Sequence, residues 1–125
     1  LQFERVINEI KKEEFKDYSP AIREAMQYIK NNYFKDIKVD DVAEHMNISG
    51  DYFRHLFKEE VGEGFVEYLT EVRINKSKEL LLENKYKLYE IANLVGYNSG
   101  AYFSSVFKKN TGIRPQDYQG DQNER

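Results

Sequence analysis

The sequence predicts an all-α protein in which one short helical unit occurs twice and a long helix joins the two copies. Three observations carry that prediction. Apolar positions recur three and four residues apart, with no sustained alternation of period two. Both prolines, Pro20 and Pro115, stand where a helical pattern begins, a position at which the missing N–H costs nothing. Sliding the sequence by fifty residues pairs Ser49 with Ser99, Gly50 with Gly100, Tyr52-Phe53 with Tyr102-Phe103, Phe57-Lys58 with Phe107-Lys108, Gly62 with Gly112 and Tyr68 with Tyr118. That makes eight identities in the twenty positions from Ser49 to Tyr68.

In chain order, residues 1–17 are expected to form an amphipathic connector helix, with Leu1, Phe3, Val6, Ile7 and Ile10 on one side and a heptad pattern that fails at Glu13. Ser19 is an N-cap and Pro20 the first helical position, after which Ile22, Ala25, Met26, Ile29 and Tyr33 mark one buried stripe. A short helix over about 39–46 precedes a second over 50–61, stopped by Gly62. A long helix covers about 64–84. A short one over 88–95 then leads to another over 100–111, stopped by Gly112, and Pro115 opens a last turn. Glycine just past a helix can take the left-handed conformation at little cost, which suits both stops. Residues 18–83 are read as the first unit with its linking helix, 84–120 as the second unit, and 121–125 as a disordered tail.

Upstream of the two serines the repeat offset becomes forty-nine, pairing Val42-Ala43 with Ile91-Ala92 and Asn47 with Gly96, so the second copy has one extra turn residue, Asn98. Asn47 and Gly96 both tolerate the left-handed backbone of a sharp helix-to-helix turn. Ser49 and Ser99 then cap the helices that follow. Short helix, turn with a left-handed residue, capped helix is the pattern of a helix-turn-helix.

Composition bounds what such a protein can do. A chain of 125 residues with 40% hydrophobic and 33% charged residues is globular in character. No apolar run approaches the ~18 residues of a membrane span, no leader pattern opens the chain, and a cytoplasmic location is expected. With no cysteine there is neither a disulfide framework nor a thiolate metal site. Leu1 in place of Met suggests a piece of something longer. No nucleotide-binding glycine loop, metal-spaced cluster or nucleophile set beside a base is present, so no enzyme and no cofactor are expected. His55 lacks a partner for catalysis, and His45 is expected merely to be exposed.

On a helical wheel the second helix of each unit has two faces. Phe53, Leu56 and Phe57 gather on one side of the first copy, and Asp51, Arg54, His55 and Lys58 on the other; in the second copy the sets are Phe103, Val106, Phe107 and Ala101, Ser104, Ser105, Lys108. The apolar half repeats while the outer half differs, as expected if one scaffold reads two sets of bases in the major groove of double-stranded DNA. Tyr52, Phe53, Phe57, Tyr102, Phe103 and Phe107 are all assigned to the core. The long helix, some twenty residues, spans about 30 Å, close to the ~34 Å between successive major-groove openings on one face of DNA. A net charge of −3 weighs against nucleic acid. Its distribution softens the objection: residues 39–63 hold two basic and seven acidic residues, net −5, but residues 84–119 hold five basic and two acidic, net +3. The acidic first unit leaves one alternative, a protein-interaction module on a helix-turn-helix scaffold that does not bind DNA.

Over about residues 19–119 the chain resembles the DNA-binding domain of the AraC/XylS regulators. The residues that carry the resemblance are Arg73-Ile74, Ser77, Leu80-Leu81, Ile91-Ala92, Gly96-Tyr97, Phe103, Phe107-Lys108, Gly112 and Pro115. The resemblance implies a seven-helix fold, both second helices in successive major grooves, and activation of transcription through RNA polymerase. It places base reading on Asp51, Arg54, His55, Ala101, Ser104 and Ser105. Backbone contact falls on Ser49, Lys58, Ser99 and Lys108, and on Lys38 and Lys87 at the starts of the short helices. It also implies an upstream sensor or a receiver domain of a two-component response regulator, and a dimer on tandem sites. Several positions depart from the family pattern: Lys38 and Lys87 stand where a Ser or Thr cap is usual, Arg114 precedes Pro115 where a small polar residue is common, and Asp51 stands on the reading face. Asp51 can accept from cytosine N4 but is repelled by phosphate, and Ala101, Ser104 and Ser105 favour thymine methyls and DNA shape.

Overall fold

The computed structural model describes residues 18–123, with side chains through Gly120; the connector predicted over residues 1–17 lies outside the described residues. Among the described residues there are seven helices and no strand: α1 (Pro20–Asn32), α2 (Val39–His45), α3 (Gly50–Val61), α4 (Phe65–Glu83), α5 (Leu88–Leu94), α6 (Gly100–Thr111) and α7 (Pro115–Asn123). They divide into two compact units. The first holds the described chain up to Asn31 together with Lys38–Phe65, and the second holds Asn32–Ile37 and everything from Val66 onward.

In the first unit, α1 starts as its serine and proline predict. The Ser19 hydroxyl oxygen accepts from the Ile22 N–H at 3.3 Å, and the Ser19 carbonyl accepts from Arg23 at 3.0 Å. Ser19 also donates its own N–H and O–H to the Glu60 carboxylate at 2.7 and 2.8 Å, tying the start of α1 to the last turn of α3. The core is built from Ile22, Ala25, Met26 and Ile29 of α1, Val42 and Ala43 of α2, and Phe53 and Phe57 of α3. Phe53 lies 5.5 Å from the Phe57 ring and 6.0 Å from that of Phe65, spacings at which tilted and edge-on aromatic pairs are favourable.

In the second unit, Ile74, Leu80 and Leu81 of α4 pack with Ile91, Ala92, Val95, Tyr97, Phe103 and Phe107. Tyr33, expected on the stripe of the first helix, lies past the end of α1 and packs against this second core. Arg73 fastens its segment by donating to the carbonyls of Tyr33 at 2.8 Å and Lys35 at 2.9 Å, and its guanidinium sits 5.1 Å over the Tyr97 ring. Ser77 is fully buried and loses nothing by it, because its hydroxyl donates to the Ile74 carbonyl one turn back at 2.7 Å. The chain after Pro115 is a nine-residue helix, not a single turn, and it continues helical through 123, where a disordered tail was expected from 121. Tyr118 meets the Phe107 ring edge-on at 5.7 Å, Gln119 donates to the Leu81 carbonyl at 2.9 Å and the Asn84 side chain at 2.6 Å, and Pro115 is fully buried.

The duplication is visible bond by bond. Helices α2 and α5 have seven residues each, and α3 and α6 twelve each. The turns carry left-handed residues at Asn47 (φ 59°) and Gly96 (φ 103°), and the same cross-turn bond follows, Ile48 N–H to Ala43 at 3.0 Å and Tyr97 N–H to Ala92 at 2.8 Å. Ser49 and Ser99 cap α3 and α6 by accepting from the N–H groups of Tyr52 and Tyr102 at 3.1 and 3.0 Å. Gly62 and Gly112 end those helices at φ 90° and 86°.

Candidate nucleic-acid interface

Helix α3 keeps Phe53 and Phe57 inside and presents Asp51, Arg54, His55 and Lys58 to solvent, together with Glu59, which was not among the expected outer residues. Arg54 donates to Asp51 at 3.0 Å, and His55 faces Glu59 at 3.7 Å. Pairs this exposed are worth only a few tenths of a kcal/mol. The Asp51–Arg54 contact keeps the guanidinium on the outer face, and so weak a pair leaves it open to a competing acceptor.

Helix α6 presents Ala101, Ser105 and Lys108, with Ser104 half-buried beside them. Its outer face is nearly uncharged at its start and basic at its end, where Lys108 and Lys109 stand in the last turn. The Ser49 and Ser99 oxygens are occupied as caps, but each hydroxyl still has its own proton to donate.

Tyr52 and Tyr102 are not in the core, as the sequence reading had them: they are 54% and 61% exposed. Each follows the first exposed residue of its helix by one position, which turns it to the flank, not inward. Tyr102 and Tyr97 form an edge-on ring pair with centroids 5.7 Å apart.

The lysine caps have a local explanation. A lysine ammonium has no lone pair to offer a helix N-terminus, and neither Lys38 nor Lys87 makes a side-chain cap bond. Their backbone N–H groups are satisfied instead, by Asp41 at 2.8 Å and Glu90 at 2.9 Å, each three residues on. That is the return half of a capping box, and it leaves both lysine side chains exposed at the starts of α2 and α5. At Arg114 the same spacing works through the side chain, which grips Asp117 with two bonds of 2.8 and 3.1 Å. The bonded Arg114 guanidinium holds the Asp117 carboxyl below its ordinary value. In the interior, burial pushes the Tyr97 phenol up, while the nearby Arg73 opposes it. Among the described residues no three of His, Asp and Glu gather as a metal ion would need, and no helix is long and apolar enough to cross a membrane.

A family model for a helix-turn-helix domain matches residues 42–121. The chain is 39% identical over 99 residues to the xylose operon regulatory protein of Escherichia coli K12, covering 79% of this chain and 25% of that protein. It is 37% identical over 107 residues to the transcriptional regulatory protein HptR of Staphylococcus aureus, covering 86% and 41%. The C-terminal domain of AraT, a response regulator from Geobacillus stearothermophilus, superposes with a TM-score of 0.80 at 39% identity, covering 82% of this chain and 86% of that one. Two capped helix-turn-helix units, each with an exposed polar helix face, define a DNA-binding domain. The chain belongs to the AraC-type family of such domains, found in transcription regulators. It spans a quarter and about two-fifths, respectively, of the two curated relatives named.

Proposed function

We propose that this domain reads double-stranded DNA with α3 and α6 in successive major grooves, as the output domain of a longer regulator. Asp51, Arg54 and His55 read bases in one half-site, and Ala101, Ser104 and Ser105 in the other. Ser49, Lys58, Ser99, Lys108, Lys38 and Lys87 hold the phosphate backbone. The observation that carries this is the duplication itself: the buried phenylalanines of the two helices are the same, while the outer residues Asp51, Arg54 and His55 have diverged from Ala101, Ser104 and Ser105. The chemistry of the outer faces differs accordingly. Arg54 can take guanine in a bidentate pair and Asp51 can accept from cytosine, whereas Ala101 and the two serines suit thymine methyls and DNA shape.

The upstream partner is a receiver domain of a two-component system, a placement supported by the likeness to the AraT response regulator. The full protein binds tandem sites as a dimer, the upstream portion supplying the effective concentration that a single domain lacks, and activates transcription by contact with RNA polymerase.

Anisotropy titration against a duplex selected from a random pool, with a scrambled duplex beside it, tests base reading. Lys58→Ala or Lys108→Ala weakens both duplexes alike and flattens the dependence of log Kd on log salt by about 0.9. Arg54→Ala costs about tenfold or more on the selected duplex and far less on the scrambled one. Equal losses of affinity on the two duplexes for Arg54→Ala refute the base-reading role.

A further inference from the structure

The duplication sorts the residues of α3 and α6 by what keeps the two copies alike. Packing accounts for Phe53 and Phe103 and for Phe57 and Phe107, all 0% exposed. Capping accounts for Ser49 and Ser99, and left-handed backbone for Gly62 and Gly112. A Cβ on Gly50 would press on the Asp40 carboxylate of the preceding helix, whereas one on Gly100 would meet Tyr89 only at ordinary contact distance. Two identical pairs remain on the surface: Lys58 with Lys108, already given to the DNA backbone, and Tyr52 with Tyr102.

Nothing in the fold demands a phenol at that position in both copies. A large ring left more than half in water gains little from folding, and Tyr102, 61% exposed, packs edge-on with Tyr97. The outer-stripe residues around it have changed between copies, Asp51 to Ala101, Arg54 to Ser104 and His55 to Ser105. Residues that diverge suit bases, which differ from one half-site to the next. A residue that stays the same suits the part of DNA that does not vary. On the wheel the tyrosine stands beside the outer stripe on the way toward the core. A helix laid in the major groove turns such a flank to the groove wall, where the phosphates are.

We infer that Tyr52 and Tyr102 each donate a phenolic O–H to a phosphodiester oxygen, one in each half-site; this rests on DNA binding as proposed above. A phenol is a neutral donor, so the contact displaces no counterion. It therefore has a signature that neither a lysine–phosphate pair nor a base contact shares: affinity falls on every sequence while the salt slope stays where it was.

The test uses the 125-residue chain and its Tyr52→Phe, Tyr102→Phe and doubly substituted forms, titrated by anisotropy on selected and scrambled duplexes across a salt series. Phenylalanine keeps the ring and removes only the hydroxyl, so thermal melts should match those of the parent. Each single substitution is expected to weaken both duplexes by about two- to tenfold, the double form by the product, with an unchanged salt slope. Unchanged affinity, a loss confined to the selected duplex, or a flattened slope overturns the inference. If the parent chain binds no duplex even at low salt, DNA binding itself has failed, and the tyrosine contact fails with it.

Discussion

Gly96 and Gly112 offer a controlled comparison. Both have positive φ, 103° and 86°, so alanine at either must adopt a left-handed backbone that costs about 1–2 kcal/mol. They differ in their surroundings. A Cβ on Gly112 would meet nothing within 4 Å. A Cβ on Gly96 would meet the Tyr33 carbonyl oxygen at 2.9 Å and Cζ and Nε of Arg73 at 3.0 Å. Neither neighbour can simply swing away, because the Arg73 Nε already donates to that same Tyr33 oxygen at 2.8 Å. Relief requires moving backbone or surrendering that bond, an overpacking cost of about 1–3 kcal/mol beyond the backbone strain. Gly112→Ala should therefore lose about 1–2 kcal/mol, and Gly96→Ala about 2–5 kcal/mol. At about 4 °C per kcal/mol for a chain of this size, the two midpoints separate by some 4–12 °C in thermal melts followed by circular dichroism. Equal destabilisation by the two substitutions would refute the close approach of Arg73 and the Tyr33 carbonyl to the turn.

Two further outcomes concern stability. Glu60→Ala removes the acceptor for both the Ser19 N–H and O–H and should cost about 1–2 kcal/mol in urea unfolding, whereas Glu60→Gln, which keeps one acceptor, should recover part of that loss; no effect from Glu60→Ala would deny that this carboxylate anchors α1. Asp117 is held below its ordinary value of 3.8, chiefly by the hydrogen bond from Arg114. Its stabilising contribution is thus present above that value and is lost as pH falls through the lowered one. Asp117→Asn should lower the melting midpoint at neutral pH, with the difference closing in acid, and a gap that persists under strongly acidic conditions would contradict the assignment.

Much of the fold could be seen in the residues because its punctuation is chemical. Helices α3 and α6 begin at a serine and stop at a glycine, and each of those residues does the one thing its side chain, or lack of one, allows. The turns at Asn47 and Gly96 were likewise visible, since few residues accept positive φ. What stayed hidden was settled by partners distant in sequence. Nothing local marks Glu60 as the acceptor for Ser19, forty-one positions away, or Tyr33 as a member of the second core. A lysine at a cap offers no acceptor of its own; what closes these helix starts lies three residues on, in Asp41 and Glu90. Tyr52 and Tyr102 were assigned inward because aromatic identity repeated in both copies, although on the wheel they stand apart from the phenylalanines. On α3, Asp51, Arg54, His55 and Lys58 are exposed as their spacing predicts, but nothing in that spacing shows that Asp51 and Arg54 hold each other.

The acidic residues at the third position of α2 and α5 have a consequence for how this domain could be altered. Because Asp41 and Glu90 close the helix starts through the main chain, Lys38 and Lys87 carry charge without carrying architecture. An engineer could exchange either lysine for a neutral or an acidic side chain and leave the helix intact. With Lys38 and Lys87 holding phosphates as proposed, grip on a polyanion and resistance to unfolding become two separate dials, the first turned at the cap and the second one turn further along.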